Sequence, residues 1–302
     1  MSPRHFLSLM DISADEFRQL LARAAELKTL HKSGEVIAPL AGKTLAMVFD
    51  KSSTRTRVSF EAGMAQLGGS AMFLSPRDLQ IGRGEPIEDT ARVMSRMVDV
   101  IVMRTGEHSN VETFAANSEV PVINALTDMY HPCQLLADMQ TCIEHHGDVS
   151  GKTVAWLGDG NNVCHSWMNA ARLLEFKLVV STPESYGPNA TLLAECKDNV
   201  SIERDPMSAA TAADVVVTDT WASMGQEDEK ADRNKAFRQY KVTNEIMAQA
   251  ADDAIFMHCL PAYRGSEVEA DVIDGPQSVV WDEAENRLHA QKALLEFLLA
   301  PK

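Results

Sequence analysis

Hydroxyl and cationic side chains are concentrated in residues 50–57, directly after the apolar run 44–49. The segment places four hydroxyl residues among three cations: Lys51, Ser52, Ser53, Thr54, Arg55, Thr56 and Arg57. A helix that begins in such a turn presents backbone N–H groups and the positive end of its dipole at one place. Arg55 or Arg57 would add a planar fork of donors that fits phosphate oxygens. The pattern predicts a site for phosphate or a similar anion, and an N-capped helix with solvated arginines is the simpler alternative.

Two further segments place polar side chains at the predicted ends of a strand and a helix. Arg104 directly follows the apolar run 100–103, and a cation at the carboxyl end of a parallel strand usually faces the ligand crevice. His131 and Gln134 flank the predicted start of a helix, where Pro132 suits the first position. Both could therefore point at a ligand. A surface arginine and a capping histidine are the alternatives.

The second half of the chain contains a comparable pair of polar loops. Asp219 follows the apolar run 215–217 and could hold a cationic amine, while Ser223 could bind a carboxylate. Cys259 follows the run 255–257. An ordinary acidic loop and a packed, inert thiol are the alternatives for these two loops.

Other familiar motifs fail at specific positions. Gly151-Lys152-Thr153 resembles the end of a P-loop, but His146 stands where the first glycine is required, and the segment precedes a predicted strand. Residues 158–163 begin like a dinucleotide-binding turn, but Val163 replaces the third glycine. The His, Cys, Asp and Glu residues lack metal-ligand spacing, and no G-x-S-x-G nucleophile elbow occurs. We therefore predict no metal and no cofactor.

Composition narrows the classes of partner. The 302 residues include 28 Lys and Arg against 43 Asp and Glu, a net charge of −15. Such a chain is a poor general binder of nucleic acid or anionic membrane. The five cysteines are scattered, no stretch approaches the roughly 20 apolar residues of a membrane span, and the first residues lack a secretory apolar run. We expect no nucleic acid or membrane partner and a reducing cytoplasm.

Short apolar runs alternate with helical patterns along the chain, which predicts βα units and parallel sheets. The runs form two series: 44–49, 71–74, 100–103 and 120–124, then 153–157, 178–180, 215–217, 255–257 and 279–280. The length exceeds one ordinary core, so we predict an α/β protein of two domains, each a parallel sheet flanked by helices, joined by long interdomain helices. The turn-like residues 147–151 place the domains at 1–149 and 150–302, with a C-terminal helix at about 283–299 packing back on the first domain.

Together these segments resemble the aspartate/ornithine carbamoyltransferase family over essentially the whole chain. Both branches of that family share the Ser-Thr-Arg-Thr-Arg segment at 53–57 and His-Pro-x-Gln at 131–134. The ornithine branch is distinguished by Asp219-x-x-x-Ser223-Met224-Gly225 and by His258-Cys259-Leu260-Pro261. Four motifs in this order are far more specific than any one alone. Tyr263 is a departure, because relatives often have histidine there.

The resemblance implies transfer of a carbamoyl group from carbamoyl phosphate to the side-chain amine of L-ornithine, which gives L-citrulline and phosphate in arginine biosynthesis. The carbamoyl phosphate residues that it implies are Ser53, Thr54, Arg55, Thr56, Arg104, His131, Gln134, Cys259, Leu260 and Arg287. Gln80 would join them from a neighbouring subunit of a homotrimer. The implied ornithine residues are Asn162, Asp219, Ser223 and Met224, and the implied catalytic residues are Arg104, His131 and Cys259.

Three alternatives stay open at this point. One is a carbamoyltransferase for aspartate, putrescine or another amine, although Asp219 with Ser223 favours a zwitterionic amino acid. Another is a nicotinamide-dependent dehydrogenase, which the missing third glycine disfavours. The last is a non-catalytic phosphate sensor or scaffold, because a fold alone never proves activity.

Overall fold

The computed structural model describes residues 3–79, 84–222 and 229–299. Its contacts separate two compact units: Met1–Gln140 with Glu285–Lys302, and Thr141–Ala284. Each unit contains one parallel sheet with helices between its strands, which confirms the predicted α/β fold class. The predicted domain boundary at residue 149 stays a prediction.

The first unit has a four-stranded sheet in the order β2-β1-β3-β4. Its strands are β1 (Thr44–Phe49), β2 (Ser70–Leu74), β3 (Val100–Arg104) and β4 (Val122–Leu126). Its helices are α1 (Ala14–Lys32), α2 (Thr54–Gln66), α3 (Ile87–Met94) and α4 (His108–Ala116). The central strands β1 and β3 are buried almost throughout. This burial explains their near-continuous apolar sequences, because helices cover both faces of a parallel sheet.

The second unit has a five-stranded parallel sheet in the order β7-β6-β5-β8-β9. Its strands are β5 (Thr153–Leu157), β6 (Lys177–Ser181), β7 (Val200–Ile202), β8 (Val215–Thr218) and β9 (Ile255–His258). The helices around them are α6 (Asn162–Leu174), α7 (Ala190–Glu195), α8 (Pro206–Ala210), α9 (Lys230–Phe237), α10 (Asn244–Met247) and α11 (Ala270–Ile273).

Two long helices contain residues of both units. They are α5 (Pro132–His146) and α12 (Val280–Leu299). The first unit is therefore built from two separate stretches of chain, one ending within α5 and the other beginning within α12.

Within the three described ranges, no helix is long and apolar enough to cross a membrane.

Two details differ from the sequence prediction. The predicted strand at 279–280 is wrong, because α12 begins at Val280. Backbone pairing beside β9 stops just before the helix, where the Val279 N–H donates to the Phe256 carbonyl across 3.0 Å. Asp282 and Glu283 lie in the first turn of α12, where acidic side chains stabilise the helix dipole. The short strand β7 was not predicted, because its three residues carry too little apolar pattern.

A lysine–aspartate pair fastens the amino ends of the strands in each sheet. Lys43 contacts Asp99 across 2.7 Å, and Lys152 contacts Asp214 across 2.9 Å. Each aspartate also accepts the backbone N–H of the threonine after the lysine, across 2.8 Å in both cases. The segment Gly151-Lys152-Thr153 therefore stabilises the start of β5 through Asp214.

Candidate active site

The start of α2 has the geometry of an anion site. Ser53 is the N-cap residue in extended conformation, and its side chain makes no capping hydrogen bond. Its hydroxyl instead donates to the Thr56 hydroxyl across 2.9 Å. The Ser53 side chain therefore does not cap the start of α2, which is the positive end of the helix. Thr54 is exposed, Arg55 half-buried and Thr56 buried at this turn.

Arg287 on α12 lies beside two of the predicted ligand residues. Its Nη1 donates to Gln134 Oε1 across 2.5 Å, and its Nη2 donates to Thr56 Oγ1 across 3.2 Å. All three side chains are buried. The Gln134 amide nitrogen in turn donates to Asp138 across 2.8 Å. Residues 56, 134 and 287, far apart in sequence, are thus brought together within the first unit.

Three arginines concentrate positive charge around His131, which directly precedes α5. Burial lowers the pKa of His131 well below its usual value, and the charges of Arg287, Arg104 and Arg55 lower it further. Arg104 is the last residue of β3 and is buried. The imidazole is therefore neutral near pH 7, while the surrounding positive potential favours an anionic ligand. We call Arg55, Thr56, Arg104, His131, Gln134 and Arg287 the arginine group.

Arg57 has a different environment from Arg55. Its Nε contacts Glu61 across 3.1 Å, and its guanidinium lies 4.1 Å from the centre of the Phe73 ring. Of the two arginines that the sequence offered as phosphate ligands, Arg55 acts electrostatically on His131. Arg57 packs on the exposed side of α2.

A second group of predicted residues meets where β8 and β9 end in the second unit. The Cys259 thiol donates to Asp219 Oδ1 across 3.3 Å. Asn161 donates to the other carboxylate oxygen of Asp219 across 2.8 Å. Asp219 is buried and Cys259 half-buried. We call Asn161, Asp219, His258, Cys259 and Leu260 the cysteine group.

His258 fixes the backbone beside Cys259. Its Nδ1 accepts the Leu260 N–H across 2.9 Å, so its Nε2 carries the proton and donates to Glu267 across 3.2 Å. The backbone N–H of His258 donates to the Glu283 carboxylate across 2.9 Å. Leu260 has a φ of 57°, a conformation that few non-glycine residues adopt. The buried histidine therefore holds the Cys259–Leu260 backbone in an uncommon shape.

Asn161 and Arg233 are residues that the sequence prediction missed. Asn161 caps α6, accepting the N–H groups of Val163 and Cys164 across 3.0 and 3.1 Å. The predicted Asn162 is the next residue, the first of α6. A cap residue directly before a predicted helix was the available signal for Asn161.

Arg233 on α9 is buried and joins two turns beside the cysteine group. Its Nη1 donates to Asp159 Oδ2 and to the Trp221 carbonyl, both across 2.8 Å. Burial raises the pKa of Asp159 to about 6, and the Arg233 charge opposes that shift. Residues 159 and 233 are separated by 74 positions, so local sequence gave no sign of the pair.

The cysteine group also brings three possible metal ligands together. Donor atoms of Asp219, His258 and Cys259 all lie within 4.8 Å of one another. Sequence spacing could not reveal this cluster, because Asp219 belongs to a different strand end. A carboxylate, an imidazole and a thiol are ligand types that zinc accepts, but both ring nitrogens of His258 already make hydrogen bonds, to the Leu260 N–H and to Glu267. The prediction of no metal stays a prediction.

Three predicted residues, Gln80, Ser223 and Met224, lie outside the described residues. Their predicted roles stay predictions.

Comparison with known proteins gives one family over the whole chain. Residues 4–144 match the carbamoyl-P binding domain of aspartate/ornithine carbamoyltransferase, and residues 150–298 match its Asp/Orn binding domain. The ornithine carbamoyltransferase of Hydrogenovibrio crunogenus is 62% identical over 300 residues, covering 99% of each chain. The anabolic ornithine carbamoyltransferase 1 of Pseudomonas savastanoi pv. phaseolicola is 58% identical over 301 residues, covering 100% of this chain and 98% of that one.

Solved structures agree. The ornithine carbamoyltransferase of Burkholderia thailandensis superposes with a TM-score of 0.92 at 55% identity, covering 98% of both chains. That of Pyrococcus furiosus gives a TM-score of 0.95 at 49% identity, covering 100% of this chain and 98% of that one. The resemblance seen in the sequence motifs is confirmed, and the chain belongs to the aspartate/ornithine carbamoyltransferase family.

Proposed function

We propose that this chain transfers the carbamoyl group of carbamoyl phosphate to the side-chain amine of L-ornithine, producing L-citrulline and phosphate. The observation that carries the proposal is the convergence of three arginine charges on neutral His131, in a chain with ornithine carbamoyltransferase relatives along its full length. A concentrated positive potential suits a phosphorylated substrate.

The residues that bind carbamoyl phosphate in this proposal belong to the arginine group, to the cysteine group and to the start of α2. The phosphate binds at Ser53, Thr54, Arg55 and Thr56, with Gln80 of a neighbouring subunit. The carbamoyl end binds at Arg104, His131, Gln134 and Arg287, completed by Cys259 and Leu260. The start of α2, where the Ser53 hydroxyl turns to Thr56 and does not cap the helix, supports the phosphate assignment.

Attack of the amine on the carbamoyl carbon produces a tetrahedral oxyanion. Arg104, His131 and Thr56 would donate hydrogen bonds to that oxygen. Because the pKa of His131 is lowered, its imidazole is a neutral donor that does not lose its proton to the phosphate. Loss of one such donor typically costs about 100–1000-fold in rate.

Ornithine binding rests on the second unit in this proposal, through Asn162, Asp219, Ser223 and Met224. Asp219 is buried and offers carboxylate oxygens to a substrate ammonium. The attacking amine resembles lysine, with an ordinary pKa of about 10.4, so it must lose a proton before it reacts. The neutral amine attacks the carbamoyl carbon and forms the new N–C bond, which gives the tetrahedral oxyanion with a cationic nitrogen. Collapse of the oxyanion breaks the C–O bond to phosphate, and the departing phosphate accepts a proton from that nitrogen. Cys259 would lie beside this amine and orient Asp219 through its thiol.

We also propose a homotrimer with active sites shared between subunits. The side chains of Val58 on α2 and Met72 on the edge strand β2 are 59% and 43% exposed. Apolar side chains beside an unpaired strand edge support association with another chain. Gln80 follows β2 closely in sequence, which is consistent with a role across that interface.

Domain roles, pathway and location complete the proposal. Residues 1–149 form the carbamoyl phosphate domain and 150–302 the ornithine domain, with helix 283–299 packing on the first; the two family matches support this division. The anabolic relative supports a role in arginine biosynthesis. Five free cysteines are consistent with the reducing cytoplasm.

A product assay tests the proposal directly. Purified protein is incubated with carbamoyl phosphate and one of L-ornithine, L-aspartate or putrescine, and the ureido product is quantified colorimetrically. We expect product with ornithine at a rate far above the other two amines. Equal or greater turnover of aspartate or putrescine, or no product at all, would contradict the proposed substrate.

A further inference from the structure

Gln291 lies between the arginine group and the beginning of α2. It is fully buried on α12, one helical turn after Arg287. Its amide satisfies both neighbours when the oxygen faces the guanidinium and the nitrogen faces Ser59. The oxygen then accepts from Arg287 Nε and Nη2 across 3.1 and 2.9 Å, and the nitrogen donates to Ser59 Oγ across 2.5 Å.

Ser59 continues this connection into the predicted phosphate turn. Its hydroxyl donates to the Arg55 carbonyl across 2.7 Å and lies 3.2 Å from the Thr56 carbonyl. A one-directional chain of hydrogen bonds therefore runs from Arg287 through Gln291 and Ser59 to the first turn of α2. Neither intermediate residue carries a charge, and both are buried.

Close packing of α2 and α12 makes this connection possible. Gly63 lies one turn after Ser59, and a Cβ atom added there would lie 3.1 Å from Lys292 Cγ. A larger residue at 63 would separate the two helices at the level where the Gln291 amide reaches Ser59. The short distances therefore depend on the small residue.

A neutral acceptor has a specific electrostatic consequence at this place. Arg287 needs acceptors for its buried N–H groups, and a carboxylate would satisfy them while cancelling its charge. The amides of Gln134 and Gln291 and the Thr56 hydroxyl fix the guanidinium, and because all three acceptors are neutral, none of these contacts cancels its charge. Without these acceptors, buried N–H groups of Arg287 would lack hydrogen-bond partners, which costs free energy and favours other orientations of the side chain.

We propose that Gln291 is a positioning residue that, with Ser59, orients Arg287 toward the carbamoyl group without neutralising it. The inference rests on the proposed function, which assigns Arg287 to the carbamoyl end of the substrate. Gln291 touches no substrate atom in this proposal and acts only through Arg287.

The test compares Gln291→Met with Leu295→Met. The second variant introduces methionine at another fully buried position of α12. Gln291→Met keeps the volume and loses all three hydrogen bonds, two from Arg287 and one to Ser59. We expect the KM for carbamoyl phosphate to rise about tenfold, the loss for a hydrogen bond to a charged group. The KM for ornithine and inhibition by inorganic phosphate should change less, because the proposal assigns Arg287 to the carbamoyl end and gives it no hydrogen bond to either ligand. Leu295→Met should leave all three constants unchanged.

Two further variants keep the test decisive. Gln291→Glu retains an acceptor for Arg287 and should fold, but its charge should also raise the KM for carbamoyl phosphate. Ser59→Ala should give a smaller increase. An unchanged KM in Gln291→Met, or in Gln291→Glu where the methionine variant fails to fold, overturns the inference. So does an equal change in all three constants, which would indicate a merely structural role.

The design separates this inference from the proposed function. Absence of citrulline with the wild-type protein would refute the proposed function. Calorimetric titration of carbamoyl phosphate into wild type and Gln291→Met would then still compare their affinities. Weaker binding by the variant supports the positioning role, and equal binding refutes it.

Discussion

The thiol of Cys259 and the carboxylate of Asp219 are joined by a hydrogen bond of 3.3 Å, although they follow different strands. The second Asp219 oxygen is held by Asn161 across 2.8 Å. Asp219 therefore has a fixed orientation before any ligand binds, and Cys259 and Asn161 both contribute to it.

Replacing Cys259 should consequently impair reaction with ornithine. Cys259→Ala removes a donor to Asp219, and we expect kcat/KM for ornithine to fall about 10- to 100-fold. Cys259→Ser retains a donor and should fall less. Steady-state kinetics over a range of pH measure both variants. Cys196→Ala, which removes a buried thiol elsewhere in the same unit, is the control. Unchanged kinetics of Cys259→Ala at every pH would remove this thiol from the chemistry.

Two arginines separated by one residue provide a matched test of the phosphate site. Arg55→Ala removes a charge that acts on His131, and we expect kcat/KM for carbamoyl phosphate to fall about 100- to 1000-fold in a folded protein. Arg57→Ala removes a surface pair with Glu61, and we expect an effect below about threefold. Circular dichroism checks folding. Full activity of Arg55→Ala would refute the phosphate-site assignment.

His131 should make the protein less stable in mild acid. Its pKa is lowered by burial and by three arginines, whereas an unfolded histidine titrates at about 6.5. Below that pH, His131 is protonated in the unfolded chain but stays neutral in the folded protein. The free energy of unfolding therefore falls as the pH falls. The contribution is at most about 1.4 kcal/mol per pH unit.

Urea unfolding on both sides of that pH, at constant protein concentration, measures this slope. We expect His131→Gln to lose less stability in acid than the wild type. The same substitution at the exposed His145 serves as control. An acid slope in His131→Gln equal to that of the wild type would contradict the expectation.

The lysine–aspartate pairs at the strand starts should affect stability alone. Asp99→Asn and Asp214→Asn each weaken a contact to a lysine and a strand-starting N–H. We expect each to lower the free energy of unfolding by about 1 kcal/mol, since the pairs are partly exposed. Neither should change KM for either substrate. A change of KM without loss of stability would show that these amino-end carboxylates have a role in binding.

Residues at strand ends were the most predictable part of the site. Arg104 ends a parallel strand, and the residues at the start of α2, Asp219 and Cys259 each follow one. The carboxyl ends of parallel strands share one edge of a sheet. Their local pattern therefore carried spatial information. The same reasoning located eight of the nine strands in the described part of the chain in approximately the right place.

Contacts between distant residues were not predictable in this way. Arg233 reaches Asp159 over 74 positions, and Gln291 reaches Ser59 from a different helix. Buried polar side chains such as these have no local sequence signature, since their partners are determined by tertiary packing. The strand predicted at Val279 and Val280 was wrong because two β-branched residues favour a strand. Val280 is instead the first residue of α12, whose first turn contains Asp282 and Glu283.

The discontinuous first unit has a consequence for hybrids assembled from two related genes. A chimera with one crossover near residue 149 would take Ser59, Thr56 and Gln134 from one parent and Arg287 and Gln291 from the other. The side chains that contact the Arg287 guanidinium would then come from two different parent proteins. Exchange of the complete unit needs a second crossover, inside α12, so that the chain segments which evolved together also travel together.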